Sequence, residues 1–393
     1  MLIMTAYFMF TECEVSLLRK GAITRRAGRP DPASKVAEST SPLATAWIMQ
    51  RKVFYDANYF FVFYYNGADS KFKACSSALG KVWGSPRDVR TIAIMTYLYL
   101  GQGIDVHWDE SLAKATAVVP YGEWFLWQRL LTTGGVLVVE AESCPVAYIN
   151  HFIVAPRHGY NNDNILCYHQ AVQPPLSIKR GDMIAYNTRN IANGWMTKAT
   201  DWGIYSNENG GSVTLTREIG NNDQAIYIVK DGDNALYWGY LKTSFVTFPP
   251  TSLGIICADG FNTLSGCSET ELGLGVGKQH IVYIKSTGEL CHMSFNGSWS
   301  SEEVLVESGA SYPVIACGSD GKLYVFYVKN RKIMLKKYDA SAWLAEQQPF
   351  LGHDYNNPAY LSSNQNVQNG KICLVWTEGT ATPYAVWFCY LED

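Results

Sequence analysis

The stretch YFFVFYYNGADSKFKACSSALGKVW, residues 59–83, decides how this chain folds. It opens with seven aromatic and β-branched residues, 59–65, which favour an extended strand. A polar turn follows at residues 66–70, and a second short strand occupies residues 71–76. Strand formers bounded by Gly, Asn and Asp are typical of a β-hairpin. The stretch therefore predicts a pair of antiparallel strands where the regular part of the chain begins.

The hairpin ends in the pattern Ser76-x-Ala78-x-Gly80-x-x-Trp83. This pattern resembles the Asp-box (BNR) turn of sialidase-like β-propellers, written S-x-D-x-G-x-x-W, with Ala78 where the family has Asp. In such a turn the polar side chains bind backbone groups, Gly takes a positive φ and Trp packs against a neighbouring sheet. The resemblance covers one turn and implies a β-propeller. None of the catalytic residues of sialidases can be matched to this sequence.

Strand-forming segments recur along the rest of the chain at a regular spacing. Most are followed by a turn containing Gly, Asn or Asp and then by a partner strand. The central strands start at residues 61, 105, 148, 225, 280, 323 and 372. Residues 51–393 thus divide into seven repeats of about 49 residues, within the ~40–50-residue period of propeller repeats. The predicted fold class is all-β, and the predicted architecture is a seven-bladed β-propeller.

One irregular interval keeps other architectures open. The strands that start at residues 148 and 225 are 77 residues apart, which is long enough for an insertion or for an additional blade. Six or eight blades are therefore alternatives to seven. A chain of two β-sandwich domains is a further alternative, although two sandwiches would not need to keep the regular spacing.

Residues 1–50 are predicted to form an N-terminal strand and linker, with the propeller domain at residues 51–393. The first segment contains a basic stretch, residues 19–29, whose role the sequence does not define. The last strong strand, residues 384–391, has no outer partner within its own repeat. An N-terminal strand beside it would close the propeller and cover the open edge. Residues 44–49 and the apolar start of the chain are the two candidates.

The composition limits the classes of partner. The net charge is −3 and only 17% of the residues are charged, so no nucleic-acid partner is predicted. No apolar run reaches the ~18 residues that cross a bilayer, so no membrane insertion is predicted. The apolar start lacks a basic segment before it and is followed by Glu12 and Glu14, unlike a signal peptide. The compartment stays open, with an extracellular, virion or cell-surface setting considered, and a monomer is expected.

The ten cysteines are interpreted mainly as packing residues. Four of them recur in the second strand of a hairpin: Cys75, Cys167, Cys291 and Cys389. We expect these to be free, buried thiols, because a small hydrophobe explains the recurrence. Cys257 and Cys267 flank a Gly-containing segment and are the best candidates for a disulfide pair. The sequence contains no C-x-x-C motif, and neither a metal site nor a cofactor is predicted.

The tryptophans and tyrosines separate into two groups. Three tryptophans recur after a short strand and a turn, which favours packing between blades: Trp83, Trp299 and Trp343. Other aromatic residues lie in or beside irregular segments and are predicted to contact a ligand: Trp108, Tyr160, Trp195 and Trp202. Aromatic side chains in the loops at one mouth of a propeller's channel would suit a glycan.

Loop carboxylates supply the candidates for catalysis. Four of them lie at strand ends or beside aromatic residues: Asp109, Glu110, Asp201 and Asp354. A glycoside hydrolase needs two carboxyl groups ~5–10 Å apart, one of them protonated near the working pH. Asp109 and Glu110 are adjacent, and adjacent strand residues point to opposite faces. We therefore predict that no two of the four have carboxyl groups within ~10 Å of each other in a pocket at the channel mouth.

Three functions stay open at this point. The first is recognition of a glycan or of a surface protein through the loops at one channel mouth. The second is a glycoside hydrolase, with a sialidase-like propeller, that uses the loop carboxylates. The third is a structural scaffold, such as a viral or cell-surface component. The sequence does not decide whether the chain is an enzyme, and it does not identify a ligand.

Overall fold

A computed structural model describes residues 33–48, 50–91, 103–109, 113–121, 124–143, 149–156, 162–170, 181–190, 194–196, 205–207, 213–217, 224–229, 234–241, 251–259, 262–269 and 278–393. Apart from one turn of 3-10 helix, Ser319–Gly321, every helix or strand in these ranges is a β-strand. No helix in them has the length and apolar character that would let it cross a membrane.

The strands are grouped in sheets of consecutive strands, except for the first strand, β1 (Ser34–Ser39), which is described below. Sheet 1 contains β2 to β5: Val53–Tyr55, Phe60–Asn66, Lys71–Ser77 and Arg87–Thr91. Sheet 2 contains β6 to β9: Asp105–Asp109, Lys114–Tyr121, Trp124–Thr133 and Val136–Ser143. Sheet 3 contains β10 to β14: Ile149–Pro156, Asn162–Gln170, Gly181–Asn190, Gly194–Met196 and Tyr205–Asn207.

The second half of the chain continues in the same way. Sheet 4 contains β15 to β18: Val213–Arg217, Gln224–Val229, Ala235–Leu241 and Thr251–Ile256. Sheet 5 contains β19 to β22: Leu264–Ser268, Gln279–Ile284, Leu290–Phe295 and Glu303–Val306. Sheet 6 contains β23 to β25: Ser311–Cys317, Leu323–Lys329 and Lys332–Tyr338. Sheet 7 contains β26 to β28: Ala359–Ser363, Lys371–Glu378 and Tyr384–Glu392.

Successive sheets lie side by side through their first strands. All neighbouring strands within a sheet are antiparallel. The first strand of each sheet, from β2 through β6, β10, β15, β19 and β23 to β26, lies beside the first strand of the next. β2 of sheet 1 also lies against β27 of sheet 7. This arrangement is that of an all-β propeller.

The core lies between the sheets, which explains why β3 is a continuous apolar run. Phe61 and Phe63 face sheet 2 and pack in a cluster that includes Trp108. Val62, which points to the other face, packs in a cluster with Phe388 of sheet 7. Successive side chains of a strand alternate between the two faces, so a strand covered on both sides is apolar at every position. The interpretation of residues 59–65 as a strong central strand is confirmed, since β3 is buried on both faces.

The last sheet includes a strand from the beginning of the chain. β1 pairs with β28, with Ser34 opposite Phe388 and Ser39 opposite Tyr384. The predicted N-terminal partner beside residues 384–391 is therefore present, but it is not the segment that was expected. Residues 44–48 form turns instead of a strand, and the apolar start and the basic stretch lie outside the described residues. β1 was missed because only Val36 of its six residues is apolar and buried against the core.

The turn that follows β4 has the geometry that its sequence predicts at two of its residues. Gly80 has a φ of +66°, and a Cβ atom there would come within 2.7 Å of the Phe388 ring, so this position requires glycine. Trp83 meets Phe388 edge-on, with ring centroids 5.0 Å apart. Ser76, by contrast, does not bind its own turn through its hydroxyl group. Its Oγ donates to the carbonyl oxygen of Gly135 in sheet 2.

The recurring tryptophans pack between sheets, as predicted. Trp83 of sheet 1 lies against sheet 7 through Phe388. Trp299 follows β21 and packs edge-on against Trp238 of sheet 4, with ring centroids 5.5 Å apart. Trp343 follows β25, and its ring centroid is 5.1 Å from that of His292 in sheet 5. Trp299 and Trp343 therefore each cover part of the sheet that precedes their own, and Trp83 covers part of sheet 7.

The cysteines follow the packing prediction, except for the predicted pair. Three of the four cysteines in hairpin strands are buried thiols: Cys75, Cys291 and Cys389. The side chain of Cys167 lies outside the described part of the chain. The predicted bond between Cys257 and Cys267 is wrong, because Cys257 packs between sheets 4 and 5 and Cys267 between sheets 5 and 6. The neighbour of Cys267 is instead Cys317, with 2.7 Å between the two Sγ atoms.

Candidate functional site

The junction between sheets 1 and 2 opens into a cleft on the side of their later strands. The cleft has a volume of about 530 Å³. One wall is formed by residues of β4, β5 and the loop between them, and the other by residues of β8, β9 and the turn between them. The floor is part of the core, because Phe61, Ala74 and Leu130 line the cleft and are also packed in the cluster between the two sheets.

A two-residue turn shapes the sheet 2 wall. Gly134 and Gly135 join β8 to β9 with φ angles of +57° and +78°, and this hairpin geometry favours glycine at both positions. A Cβ atom on Gly135 would come within 2.8 Å of the Tyr59 ring. The Gly135 carbonyl oxygen accepts the 2.6 Å hydrogen bond from Ser76 Oγ, which ties the two walls together. Neither glycine has a side chain that could cover the cleft.

The carboxylate of Asp88 is held in its ionised form. It accepts hydrogen bonds from Lys71 and from Lys73, whose Nζ lies 2.8 Å from Asp88 Oδ1. These two bonds lower the pKa of Asp88 below its usual value. Hydrogen bonds to Asp69 and to Asp88 raise the pKa of Lys73 in turn. Asp88 therefore contributes a fixed negative charge and cannot act as a proton donor near neutral pH.

Arg87 supplies charged hydrogen-bond donors to the cleft. It lies on the same wall as Asp88, at the first position of β5, and it is exposed. Within the described part of the chain its guanidinium group has no hydrogen-bond or ion-pair partner. A guanidinium group carries five N–H donors in a planar fork and remains charged at any ordinary pH. Arg87 can therefore bind hydroxyl or carboxylate oxygens of a ligand in the cleft.

The same junction is closed at the first strands of the two sheets. Arg51, which precedes β2, donates from Nη2 to Asp105 Oδ2 at 3.1 Å and from its backbone N–H to Asp105 Oδ1 at 2.7 Å. Its Nη1 lies 2.8 Å from His107 Nδ1. All three side chains are buried. Because the Arg51 guanidinium group is bound to Asp105 and His107, the network joins the two sheets. Its donors are not available to a ligand.

Lys52 is a buried cation next to this network. Burial lowers its pKa to about 7, while the negative charge of Asp105 acts in the opposite direction. Its Nζ donates to the carbonyl oxygens of Trp47, at 3.0 Å, and of Gln50, at 3.3 Å. A lysine with a perturbed pKa can mark a functional site. Here the two carbonyl oxygens that hold the ammonium group give it a structural role.

Of the aromatic residues predicted to contact a ligand, the structure describes the side chain of Trp108, which does not line the cleft. Trp108 is only 6% exposed, and its ring stacks on Phe54 with centroids 5.4 Å apart and planes 7° apart. It belongs to the core between sheets 1 and 2, which leaves little of the ring for a ligand. Trp195 lies on β13, and its side chain is outside the described residues. Tyr160 and Trp202 lie wholly outside them, so their ligand roles stay predictions.

Of the predicted acidic residues, the structure describes the side chain of Asp354, which does not line the cleft. Asp354 is exposed in the segment between β25 and β26. Asp109 ends β6, and its side chain is not among those described. Glu110 and Asp201 lie outside the described residues. The predicted separation of these four carboxyl groups therefore stays a prediction.

The comparisons with known proteins point to one type of fold. No protein-family model matches the chain, and no curated protein matches it. Among solved structures it resembles the BP39L lectin from Burkholderia pseudomallei, with a TM-score of 0.61 and 10% identity over 87% of this chain and 96% of that one. AofleA from Arthrobotrys oligospora has a TM-score of 0.52 and 10% identity over 81% and 91% of the two chains. The polysaccharide lyase Uly1 has a TM-score of 0.52 and 8% identity over 89% and 91%. At such low identity these likenesses show the fold alone.

Proposed function

We propose that this chain is a glycan-binding β-propeller in which the seven sheets are the seven blades and β1 completes the last blade. The order of the sheets and the pairing of β1 with β28 support this blade count and closure. Glycan binding is supported by the similarity of the fold to that of a lectin. The resemblance of residues 76–83 to an Asp-box turn remains a prediction, as does the monomeric state.

The observation that carries the proposal is the guanidinium group of Arg87, which lines a cleft with apolar walls and has no hydrogen-bond or ion-pair partner among the described residues. Sugars combine C–H faces, which pack on apolar side chains, with hydroxyl groups, which bind polar ones. The cleft supplies both surfaces, with Leu130 and Val136 on the apolar side and Arg87 and Gln128 on the polar side. Its volume of about 530 Å³ lies within the ~300–1,000 Å³ range of ordinary small-molecule sites.

Binding fits this cleft better than hydrolysis. A glycoside hydrolase of the usual kind requires two carboxyl groups, one of which is protonated near the working pH. Asp88 is the only carboxylate among the described residues that line the cleft. Its pKa is lowered by Lys71 and Lys73, so it stays ionised. The hydrolase alternative therefore needs residues elsewhere in the chain.

Titration of the purified protein against a panel of neutral and acidic oligosaccharides, by calorimetry, tests the proposal. A hydrogen bond from a charged donor contributes ~1.5–3 kcal/mol, so Arg87→Ala is expected to weaken binding about 10- to 100-fold. Arg331→Ala, which removes an exposed arginine from the turn between β24 and β25, is the matched control and should leave the affinity unchanged.

Two results would count against the proposal in different ways. Glycan binding that Arg87→Ala does not weaken would place the glycan site elsewhere in the propeller. An absence of binding across the whole panel would contradict the glycan-binding function itself. The surface-protein and scaffold alternatives would then be favoured.

A further inference from the structure

Two cysteines from neighbouring sheets meet near the inner strands of the propeller. Cys267 lies on β19 of sheet 5, and Cys317 is the last residue of β23 of sheet 6. These are the first strands of their sheets, and they lie side by side. The two residues are 1% and 2% exposed, and their Sγ atoms are 2.7 Å apart.

This distance is too short for two thiols that merely pack together. Non-bonded heavy atoms of this size have their best contact at ~3.5–4.0 Å, whereas the sulfur atoms of a disulfide are ~2.05 Å apart. The 2.7 Å separation of the two Sγ atoms lies between these values. Bond formation shortens this separation, whereas two reduced thiols in ordinary contact would lie farther apart within the core.

We propose that Cys267 and Cys317 form a disulfide bond that fastens sheet 5 to sheet 6. The bond would join residues 50 positions apart and would cross between sheets instead of lying within one. It differs from the pair that the sequence favoured, because Cys257 lies on the other side of sheet 5. The remaining described cysteines stay as buried thiols.

The bond forms by thiol–disulfide exchange with a small-molecule disulfide such as oxidised glutathione. The thiolate of one cysteine attacks the small disulfide and releases one reduced thiol. The second cysteine, as its thiolate, then attacks the mixed disulfide and releases the other reduced thiol, which accepts the proton. The two cysteines are thereby oxidised by two electrons, and the small disulfide is reduced by two. Because both sulfur atoms are buried, the exchange takes place before sheets 5 and 6 have closed on each other.

Peptide mapping of the unmodified protein is the direct test. The protein is refolded with a mixture of oxidised and reduced glutathione and then denatured in an alkylating reagent without a reductant. The expected result is a linked pair of peptides containing Cys267 and Cys317, lighter by two hydrogen atoms than the sum of the two. Alkyl groups on both cysteines after this treatment, or a link from either to another cysteine, would overturn the proposal.

The melting temperature gives a second readout that separates the bond from ordinary packing. A cross-link restricts the unfolded chain, so the oxidised protein should melt several degrees above the same protein treated with dithiothreitol. Cys267→Ser and Cys317→Ser should each abolish this difference. Cys257→Ser is the matched control and should retain it. An equal change in melting temperature on dithiothreitol treatment in all three variants would show that the effect does not come from this bond. If a variant does not fold, the peptide mapping of the unmodified protein decides whether the bond is present.

Discussion

The junction between sheets 1 and 2 and the junction between sheets 5 and 6 are packed differently on the side of their later strands. The first is open on the side of its later strands, with Arg87 and Asp88 beside a cleft. The second is filled there by Trp343, whose Nε1 donates to Glu303 Oε2 at 3.0 Å and whose ring packs on His292. Both junctions have an apolar core between their middle strands. The two junctions therefore differ at the surface and share their interior.

The difference lies in the segment that follows the third strand of the later sheet. In sheet 6 the segment after β25 is long enough to carry Trp343 back over sheet 5. In sheet 2 the turn between β8 and β9 is only Gly134 and Gly135, which have no side chains. One loop thus determines whether a junction between sheets becomes core or cleft. A shorter turn at this position leaves a cleft without any change to the strands.

The largest predicted effect tests whether the open junction is held together at its first strands. Removing one partner of a buried ion pair costs about 3–5 kcal/mol, because the other charge stays buried. Arg51→Ala should lower the free energy of unfolding by this amount, since Asp105 would lose its cation. Urea unfolding measures the loss. Arg87→Ala, the control in the same junction, should change stability by less than ~0.5 kcal/mol. Equal losses for the two variants would mean that the cleft arginine is also structural.

The second prediction opens the filled junction. Trp343→Ala removes a half-buried ring and a hydrogen bond to Glu303, and it should lower the free energy of unfolding by about 2 kcal/mol. Leu344→Ala changes the neighbouring residue, which is exposed, and serves as the control with an expected loss below ~0.5 kcal/mol. A loss for Trp343→Ala as small as that of its control would contradict the role assigned to the tryptophan loop.

The third prediction concerns pH, since the filled junction contains a chain of titratable groups. Glu269, His280, His292 and Glu303 are linked in that order by contacts of 2.9, 3.0 and 2.8 Å. The two outer contacts each join an imidazole nitrogen to a carboxylate oxygen, and the middle contact joins His280 Nδ1 to His292 Nε2. The pKa of His280 is lowered by burial, and that of Glu303 is lowered to about 2 by the hydrogen bond from His292.

Both shifts have the same consequence for stability. The unfolded chain binds protons more readily than the folded one as the pH falls below ~6.5 for histidine and ~4.5 for glutamate. The contribution of these two groups to the free energy of unfolding is therefore present at neutral pH and is lost as the pH falls. We expect a loss of about 1 kcal/mol between pH 7 and pH 4, after allowing for the partial exposure of Glu303. Urea midpoints at several pH values measure it, and His292→Gln should flatten the profile. An unchanged slope in that variant would show that other groups cause the acid sensitivity.

The smallest predicted effect concerns the link between the cleft walls. Ser76→Ala removes the hydroxyl group that bonds to Gly135, and a neutral hydrogen bond contributes about 0.5–1 kcal/mol. Ser85→Ala, in the same cleft, is the control and should have no measurable effect on unfolding. If Ser76→Ala also leaves stability unchanged, the two walls of the open junction are not coupled through this bond.

Much of the fold could be predicted because the local pattern and the packing agree. β3 is apolar at successive positions because it is covered on both faces, and such a run is visible in the sequence. β1 could not be recognised, because it is short, mostly polar and paired with a strand at the other end of the chain. Its identity depends on a contact between distant residues, which local propensity does not encode.

The candidate site was harder to predict because the lack of a side chain creates it. The cleft exists where no tryptophan loop covers sheet 1, and its walls meet through Ser76 and Gly135, which are 59 residues apart. Looking for aromatic residues near irregular segments led instead to Trp108, which is a core residue. The useful signal was the Gly134-Gly135 pair at a position where three other repeats carry a longer segment with tryptophan.

The pairing of β1 with β28 affects the order in which this protein can fold during its synthesis. The two strands are separated by about 350 residues, and a ribosome adds ~5–20 residues per second. β1 thus leaves the ribosome roughly 20–70 s before its partner has been made. Throughout that time the six earlier sheets can form, whereas β1 lacks its partner strand β28. The pairing of β1 with β28 is therefore a late step of folding, and a chain that is interrupted before residue 384 cannot complete it.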